Sequence, residues 1–308
     1  MEVKLHKSIS GYHGIYPMIY CYFDKSGEIY EEPIRVSVEC MIQHNIHGIA
    51  VLGLASEVNK LSYKNKFKLL ECVLGSNKKR VPLSVTVSEN SVSGQIEFAK
   101  VAKELGADWF ILQPPPVADC PENSLLNFFS NVIENIDSIV AIQNAPQYLG
   151  YGLSNAGIKE LARRHSNFKL VKTELGSSGI KELYDKIEGS VDIFNGVGGC
   201  ELPDVLRGGA AGVIPGSESF DVLLNVYNNM RLQKNEEAEK IYREVLPVLH
   251  FLDSNIDHLV NYGKILLAKR LGVSGGYPAT ASIHCSKFGL EIIDRFCNHL
   301  PKLSFSKL

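Results

Sequence analysis

The chain repeats one pattern of apolar and polar positions eight times along its length. Each repeat is a short apolar run rich in β-branched residues, then a polar loop, then a stretch with helical periodicity. The starts of the apolar runs lie about 20 to 35 residues apart, as a strand-plus-helix unit requires. Because these runs are apolar almost throughout, they predict strands buried on both faces of a parallel sheet. The predicted strands span 14–23, 48–54, 81–87, 108–114, 139–145, 168–174, 192–198 and 212–216.

Local signals place several helix ends between these strands. Pro33 is suited to the first turn of a helix that ends near residue 45. Gly106 follows an amphipathic stretch and predicts its C-terminal end. Ser154 predicts an N-cap for the helix that follows it.

Eight strand–helix units filling about 220 residues predict a (β/α)8 TIM barrel. An open doubly wound sheet is the alternative, but no glycine-rich dinucleotide turn follows the first strand. The remaining pattern is helical only, which predicts a barrel over 1–232 and a C-terminal helical extension over 233–308, packed as one structural unit. The helices predicted in this last part span 222–232, 235–252, 257–271 and 283–299.

Composition and charge exclude several classes of protein. The chain has 308 residues, of which 45% are hydrophobic and 21% charged, and its net charge is −2. The mixed charges give neither a nucleic-acid patch nor a polybasic membrane anchor. No apolar run approaches the roughly 18 residues needed to span a bilayer, and the N-terminus lacks an apolar signal core. We therefore expect a cytoplasmic protein with no nucleic-acid or membrane partner.

The seven cysteines indicate neither a disulfide framework nor a zinc site, because they are widely spaced and form no CxxC pair. The predicted strand ends carry no histidine or cysteine set with the spacing of metal ligands. No GxSxG motif is present, so a serine hydrolase is not indicated. We expect neither a metal nor another cofactor.

The sixth predicted strand ends with a lysine and a glutamate two residues apart. In a barrel of this kind the active site lies at the C-terminal ends of the strands. Lys172 and Glu174 share one face of the strand, because side chains alternate. A buried neutral amine can attack a ketone to form a Schiff base, and a neighbouring carboxylate can move protons. A structural ion pair filling the barrel accounts for the strand about as well.

Polar residues also end the second and fifth predicted strands. The amides of Gln143 and Asn144 could orient a polar substrate, although Asn144 could simply belong to a turn. Ala55 and Ser56 follow the second strand, where their backbone N–H groups could bind a carboxylate. A tight strand–helix turn is an equally good account of these two residues.

The seventh and eighth predicted strands end in glycine-rich segments. Gly198, Pro215 and Gly216 fall at these ends. Such loops often bind phosphate in barrels, and close backbone turns are an equally good account of them. We include these residues in the expected substrate-binding set.

Five ordered motifs together resemble the dihydrodipicolinate synthase / N-acetylneuraminate lyase family of Schiff-base barrels. The resemblance implies a (β/α)8 barrel with a C-terminal helical extension, commonly assembled as a homotetramer. It also implies a 2-keto acid as the small-molecule substrate, bound as an imine, with Lys172 as the matching lysine. The motifs are YPMIYCYFDKSGEIY, GLASEVNKLS, QNAP, LVKTELGSSG and GGAAGVIPG.

The chain departs from the family pattern at its proton relay. The family's tyrosine falls at Gln143, and a glutamine side chain is neither an acid nor a base. The loop threonines fall at Leu54 and Ala55, and a second tyrosine falls at 115–116. The arginine that grips the second substrate in the synthase falls at Tyr148. These departures argue against dihydrodipicolinate synthesis and against a standard sialic acid lyase.

The combination of Gln143, Lys172 and Glu174 is similar to the 2-keto-3-deoxy sugar-acid dehydratases, a subgroup that includes L-2-keto-3-deoxyarabonate dehydratase. By this resemblance Lys172 forms the imine, Glu174 serves as acid and base, and Gln143 orients the substrate. One alternative is an aldolase that uses the same imine to release pyruvate, and another is a non-catalytic barrel that binds a keto acid. Tyr148, Tyr277, Ser217 and Ser219 are further candidates for the pocket wall.

Overall fold

The computed structural model describes residues 6–117, 120–277 and 284–306. Within these residues eight parallel strands form one sheet in the order β1-β8-β7-β6-β5-β4-β3-β2. The strands are β1 (Gly14–Ile15), β2 (Ile49–Val51), β3 (Leu83–Val87), β4 (Trp109–Leu112), β5 (Ile139–Asn144), β6 (Phe168–Thr173), β7 (Asp192–Asn195) and β8 (Gly212–Val213).

Helices surround this sheet and continue beyond its last strand. Up to the end of β8 the helices are α1 (Glu31–Gln43), α2 (Tyr63–Asn77), α3 (Val92–Leu105), α4 (Glu122–Ile133), α5 (Pro146–Leu149), α6 (Asn155–Arg164), α7 (Ser177–Ile187) and α8 (Leu202–Arg207). The helices after β8 are α9 (Phe220–Arg231), α10 (Asn235–Leu252), α11 (Ile256–Leu271) and α12 (Lys287–His299). The predicted (β/α)8 barrel with a C-terminal helical extension is confirmed.

The barrel closes between its first and second strands through the residues that follow β1. Met18 forms parallel bridges to Ala50 on one side and to Gly216 on the other. The Ala50 N–H donates to the Pro17 carbonyl at 3.0 Å, and the Ile19 N–H donates to the Ala50 carbonyl at 2.8 Å. Regular pairing of β1 is short because Pro17 has no N–H to donate.

The predicted strands were longer than the observed ones at several ends. The run 14–23 contains only two residues of regular strand, and 192–198 stops at Asn195. In the second case the glycine-rich residues leave the sheet and form a loop at the mouth of the barrel. Apolar composition alone did not mark the end of the first strand, because residues 16–23 are buried as deeply as the strand itself.

The local helix signals are confirmed. Gly106 follows α3 with φ +119°, a conformation that glycine adopts without strain. The Ser154 hydroxyl accepts from the Gly157 N–H at 3.1 Å at the start of α6. Pro33 lies in the first turn of α1. The last helix begins at Lys287, and the predicted start at 283 lies outside the described residues.

The extension packs against the barrel through α11. Arg270 forms a pair of hydrogen bonds to Asp221 of α9, each 2.8 Å long. The junction between α10 and α11 lies over the C-terminal ends of the strands. In the described part of the chain, no helix combines the length and the apolar character needed to cross a bilayer.

Candidate active site

Lys172 and Glu174 meet at the end of β6 inside the barrel. The Lys172 Nζ forms a salt bridge with the Glu174 Oε1. Both side chains are almost enclosed, with 9% and 6% of their surfaces exposed. The two residues are close because alternation along β6 turns both side chains to the barrel interior. An amine and a carboxylate in contact, shielded from water, are a suitable pair for proton transfer at one carbon centre.

Gln143 of β5 fixes the carboxylate of this pair. It is directly opposite Lys172 in the β5–β6 register. Its Nε2 donates to the Glu174 Oε1 at 3.0 Å. Gln147, in the short helix α5, donates its Nε2 to the Glu174 carbonyl at 2.8 Å. Gln143 therefore orients the carboxylate, and through it the position of any proton that the carboxylate moves.

Gly196 leaves room for the Glu174 carboxylate on the β7 side. A Cβ placed on Gly196 would lie 2.3 Å from both oxygens of that carboxylate. A side chain at this position would displace the Glu174 carboxylate from its present place, so the loop after β7 helps to define where that carboxylate lies.

A cavity opens above this pair at the C-terminal ends of the strands. Seven of the nine residues that the sequence predicted for the site line it, namely Ala55, Gln143, Lys172, Glu174, Gly198, Pro215 and Gly216. They come from five different strand ends, which only the closure of the barrel brings together.

The loop after β2 contributes two residues with unpaired backbone N–H groups to the cavity wall. Residues Leu54–Ser56 form a 3₁₀ turn, and Leu54 and Ala55 line the cavity. Among the described residues neither of their backbone N–H groups has an acceptor. Open amides at the start of a helical turn favour an anion, so this turn can bind a carboxylate.

Ser56 does not line this cavity, contrary to the prediction for it. Its hydroxyl donates to the Ile19 carbonyl at 2.6 Å and accepts from the Leu52 N–H at 3.1 Å. Its own N–H donates to the Gly53 carbonyl at 3.0 Å. Ser56 therefore joins the loop to the barrel wall, and it has no free donor for a substrate.

Asn144 is also turned away from the cavity. Its Nδ2 donates to the Leu153 carbonyl at 3.0 Å, and its Oδ1 accepts from the Leu153 N–H at 2.8 Å. These two bonds close the loop that carries α5. Of the two interpretations of Asn144, the structure favours the turn.

Gly198, Pro215 and Gly216 form parts of the cavity wall where side chains are absent or small. Gly198 has φ +38°, which favours glycine. A Cβ on Gly216 would lie 2.3 Å from an oxygen of the buried Glu218. Neither glycine adds a side chain to the cavity wall beside the seventh and eighth strands.

Tyr148 contributes a hydroxyl group at the mouth of the cavity. It is the only tyrosine among the described residues that line it, and its side chain is largely exposed. Partial desolvation and the negative charges of Glu174 and Asp253 raise the pKa of Tyr148. The other candidates for the wall, Tyr277, Ser217 and Ser219, do not line the cavity.

The remaining lining residues were missed by the sequence reasoning. Thr86 occupies the position before the last in β3, where alternation along the strand could have indicated it. Residues of the α10–α11 junction carried no such signal, because nothing local shows that a helix junction folds over the barrel. The missed residues are Met18, Thr86, Gly196, Ile214, Asp253, Asn255, Ile256 and Leu259.

Comparison with known proteins identifies the family. The 4-hydroxy-tetrahydrodipicolinate synthase of Methanopyrus kandleri is 25% identical over 241 residues, which cover 76% of this chain and 79% of that protein. The structure of dihydrodipicolinate synthase from Rhodopseudomonas palustris has the same fold, with a TM-score of 0.86 and 20% identity over 96% of this chain and 100% of that one. The sialic acid aldolase of Ruminococcus gnavus shares the fold with a TM-score of 0.85 and 22% identity, covering 94% and 96% of the two chains. The model of the dihydrodipicolinate synthetase family matches residues 11–275, so the chain belongs to that family.

Proposed function

We propose that the protein dehydrates a 2-keto-3-deoxy sugar acid through a Schiff base on Lys172. The chain is a lyase of the Schiff-base class by its family, and the proposal concerns which lyase. The observation that carries it is the Glu174 carboxylate, which contacts the Lys172 amine and is held by Gln143. In this arrangement the Glu174 carboxylate is the acid–base group beside the amine that would form the imine, and so beside the substrate carbons next to it.

The substrate would lie with its carboxylate toward the 3₁₀ turn and its ketone toward Lys172. The N–H groups of Leu54 and Ala55 are suitable donors for the carboxylate, since neither donates to an acceptor within the described residues. In this placement C3 and C4 of the substrate would lie beside Glu174, because its carboxylate contacts the Lys172 amine.

The chemistry then needs one nucleophile and one acid–base group. The Lys172 amine adds to C2, a proton passes from its nitrogen to the new hydroxyl group on C2, and that hydroxyl leaves as water to give the imine. Glu174 next removes a proton from C3 to give an enamine, and the C4 hydroxyl leaves with that proton as water. Hydrolysis of the imine restores the lysine, and tautomerisation of the remaining double bond gives 2-oxoglutarate semialdehyde from a five-carbon substrate.

The lining of the cavity also supports a reaction other than dihydrodipicolinate synthesis. The position of the family's relay tyrosine is held by Gln143, which bonds to Glu174. The loop threonines are replaced by Leu54 and Ala55, whose side chains carry no hydroxyl. A synthase relay that passes protons through three hydroxyl groups therefore has no equivalent among these positions.

The test is intact-mass measurement after borohydride reduction in the presence of a keto acid. We expect a covalent adduct with pyruvate and with 2-keto-3-deoxypentonates, and loss of the adduct in Lys172→Ala. The matched control is Lys169→Ala, on the opposite face of the same strand, which should keep the adduct.

The mass of the sugar-acid adduct separates the candidate reactions. An adduct lighter by one water supports dehydration, whereas a pyruvate adduct formed from the sugar acid supports aldol cleavage. A protein that gives no adduct with any keto acid is not a Schiff-base enzyme for these substrates, and a binding function would then replace the proposal.

A further inference from the structure

The junction between α10 and α11 supplies one wall of the cavity mouth. Asp253 ends α10 and Asn255 begins α11 as its N-cap, with its Oδ1 accepting from the His258 N–H at 2.9 Å. Both residues line the same cavity as Lys172. The C-terminal extension therefore reaches the site and forms part of the exposed rim of the cavity that contains Lys172.

Asp253 lies directly over the glycine-rich loop after β7. A Cβ placed on Gly198 would lie 3.5 Å from the Asp253 Oδ1. Asp253 is exposed at the rim, and partial desolvation and the negative charge of Glu174 raise its pKa, against the hydrogen bond from the Cys200 thiol and the charge of His250. Glu174 and Asp253 thus place two carboxyl groups in the lining of the same cavity.

The mouth of the cavity carries the negative charge of Asp253 without a matching positive charge. Among the described residues that line it, Lys172 is the only cation, and it is already paired with Glu174. A second anionic group at the far end of a substrate would meet Asp253 and no positive partner. Like charges repel at this exposed rim, whereas a hydroxyl group can hydrogen-bond to a carboxylate in either protonation state.

We propose that Asp253 makes this site selective for 2-keto acids whose far end is uncharged and hydroxylated, and against those that end in a phosphate or a second carboxylate. The proposal rests on the Schiff-base step of the proposed function, but not on dehydration. Asn255, beside Asp253, supplies an amide for the same hydroxyl groups.

The experiment compares borohydride trapping of 2-keto-3-deoxygluconate and of its 6-phosphate, which differ only at the far end. We expect the wild-type protein to trap the neutral-tailed acid at least 10-fold more efficiently. Asp253→Asn, which removes the charge and keeps the shape, should reduce this preference at least 5-fold, mainly by increasing trapping of the phosphate.

Pyruvate and a second variant supply the controls. Pyruvate has no far-end group, so its trapping by each protein is the reference that corrects for any general effect of Asp253→Asn on imine formation. Asp257→Asn removes an exposed carboxylate of α11 that pairs with Lys60, outside the cavity, and should leave the preference unchanged.

The outcomes distinguish the two proposals. Equal trapping of both sugar acids by the wild type, or an unchanged preference in Asp253→Asn, overturns the role of Asp253 while the Schiff base stands. Absence of every adduct, including that of pyruvate, overturns the Schiff base and this selectivity together.

Discussion

At the scale of single residues, the site depends on a spacing of two along one strand. Side chains two residues apart on a strand point to the same face, so Lys172 and Glu174 both point into the barrel. There they contact each other. Such a pair can be read from the sequence with few assumptions. The side chains of Ser56 and Asn144 could not be read in this way, because their hydrogen bonds are to Ile19, Leu52 and Leu153, which tertiary packing brings near.

Replacing Glu174 separates imine formation from proton transfer at C3. In Glu174→Gln the amide has nearly the shape of the carboxylate but accepts no proton, so we expect pyruvate trapping to stay within several-fold of wild type. The rate of dehydration should fall by about 10²-fold or more, the usual contribution of general acid–base catalysis. Product formation from the keto-deoxy acid and borohydride trapping measure the two quantities.

The matched control for this variant is Glu182→Gln. Glu182 pairs with Lys186 on the exposed surface of α7, and it should change neither quantity. Dehydration by Glu174→Gln at a rate near that of wild type would remove Glu174 from the mechanism.

At the scale of elements, the first strand depends on a histidine beneath it. A Cβ on Gly14 would lie 2.3 Å from the His47 ring, and the Ile15 N–H donates to the His47 Nδ1 at 3.3 Å. A ring nitrogen that accepts a hydrogen bond carries no proton, so His47 is neutral in the fold. Burial, together with His13 and Arg231, lowers its pKa to about 4.

The stability of the protein should therefore decrease in mild acid. Because the pKa of His47 is lower in the folded state than the ordinary value of about 6.5, its contribution is complete above pH 6.5 and is lost as the pH falls toward 4. We expect the free energy of unfolding to decrease by about 1–3 kcal/mol across this range for this group alone. Urea unfolding at several pH values measures it.

His47→Asn keeps an acceptor near the Ile15 N–H and removes the titrating ring. We expect a flatter pH dependence between 6.5 and 4 in this variant, with lower stability at neutral pH. His284→Asn, at an exposed position, should keep the wild-type slope. A wild-type slope in His47→Asn would assign the acid sensitivity to other groups.

At the scale of the whole molecule, an enclosed ion pair joins the C-terminal extension to the loop that lines the cavity. Lys264 of α11 bonds to Glu57, one residue beyond the 3₁₀ turn, and both side chains are almost fully buried. Lys60 also contacts Glu57, at 3.1 Å. The extension therefore holds the loop that carries Leu54 and Ala55, as well as supplying Asp253.

Breaking this pair should destabilise the protein strongly. Lys264→Met leaves Glu57 buried without its main partner, and we expect a loss of about 3 kcal/mol or more in the free energy of unfolding. The double variant Glu57→Gln with Lys264→Met removes both charges and should recover part of that loss. Denaturant unfolding gives both values.

An exposed pair on the same helix provides the comparison. Lys269 contacts Asp294 at 2.6 Å near the surface, and Lys269→Met should cost less than about 1 kcal/mol. Equal losses for Lys264→Met and Lys269→Met would contradict a structural role for the buried pair.

The alternation and spacing of apolar residues were enough to predict the barrel, its helical extension, and the pairing of Lys172 with Glu174. These features follow from local periodicity, which each segment carries in itself. The cavity mouth was decided by tertiary structure alone. Whether Ser56 is bonded within the wall or free, and whether Asp253 faces the substrate or solvent, depends on which distant segments pack beside them. Those contacts join residues far apart in the chain, and no local pattern encodes them.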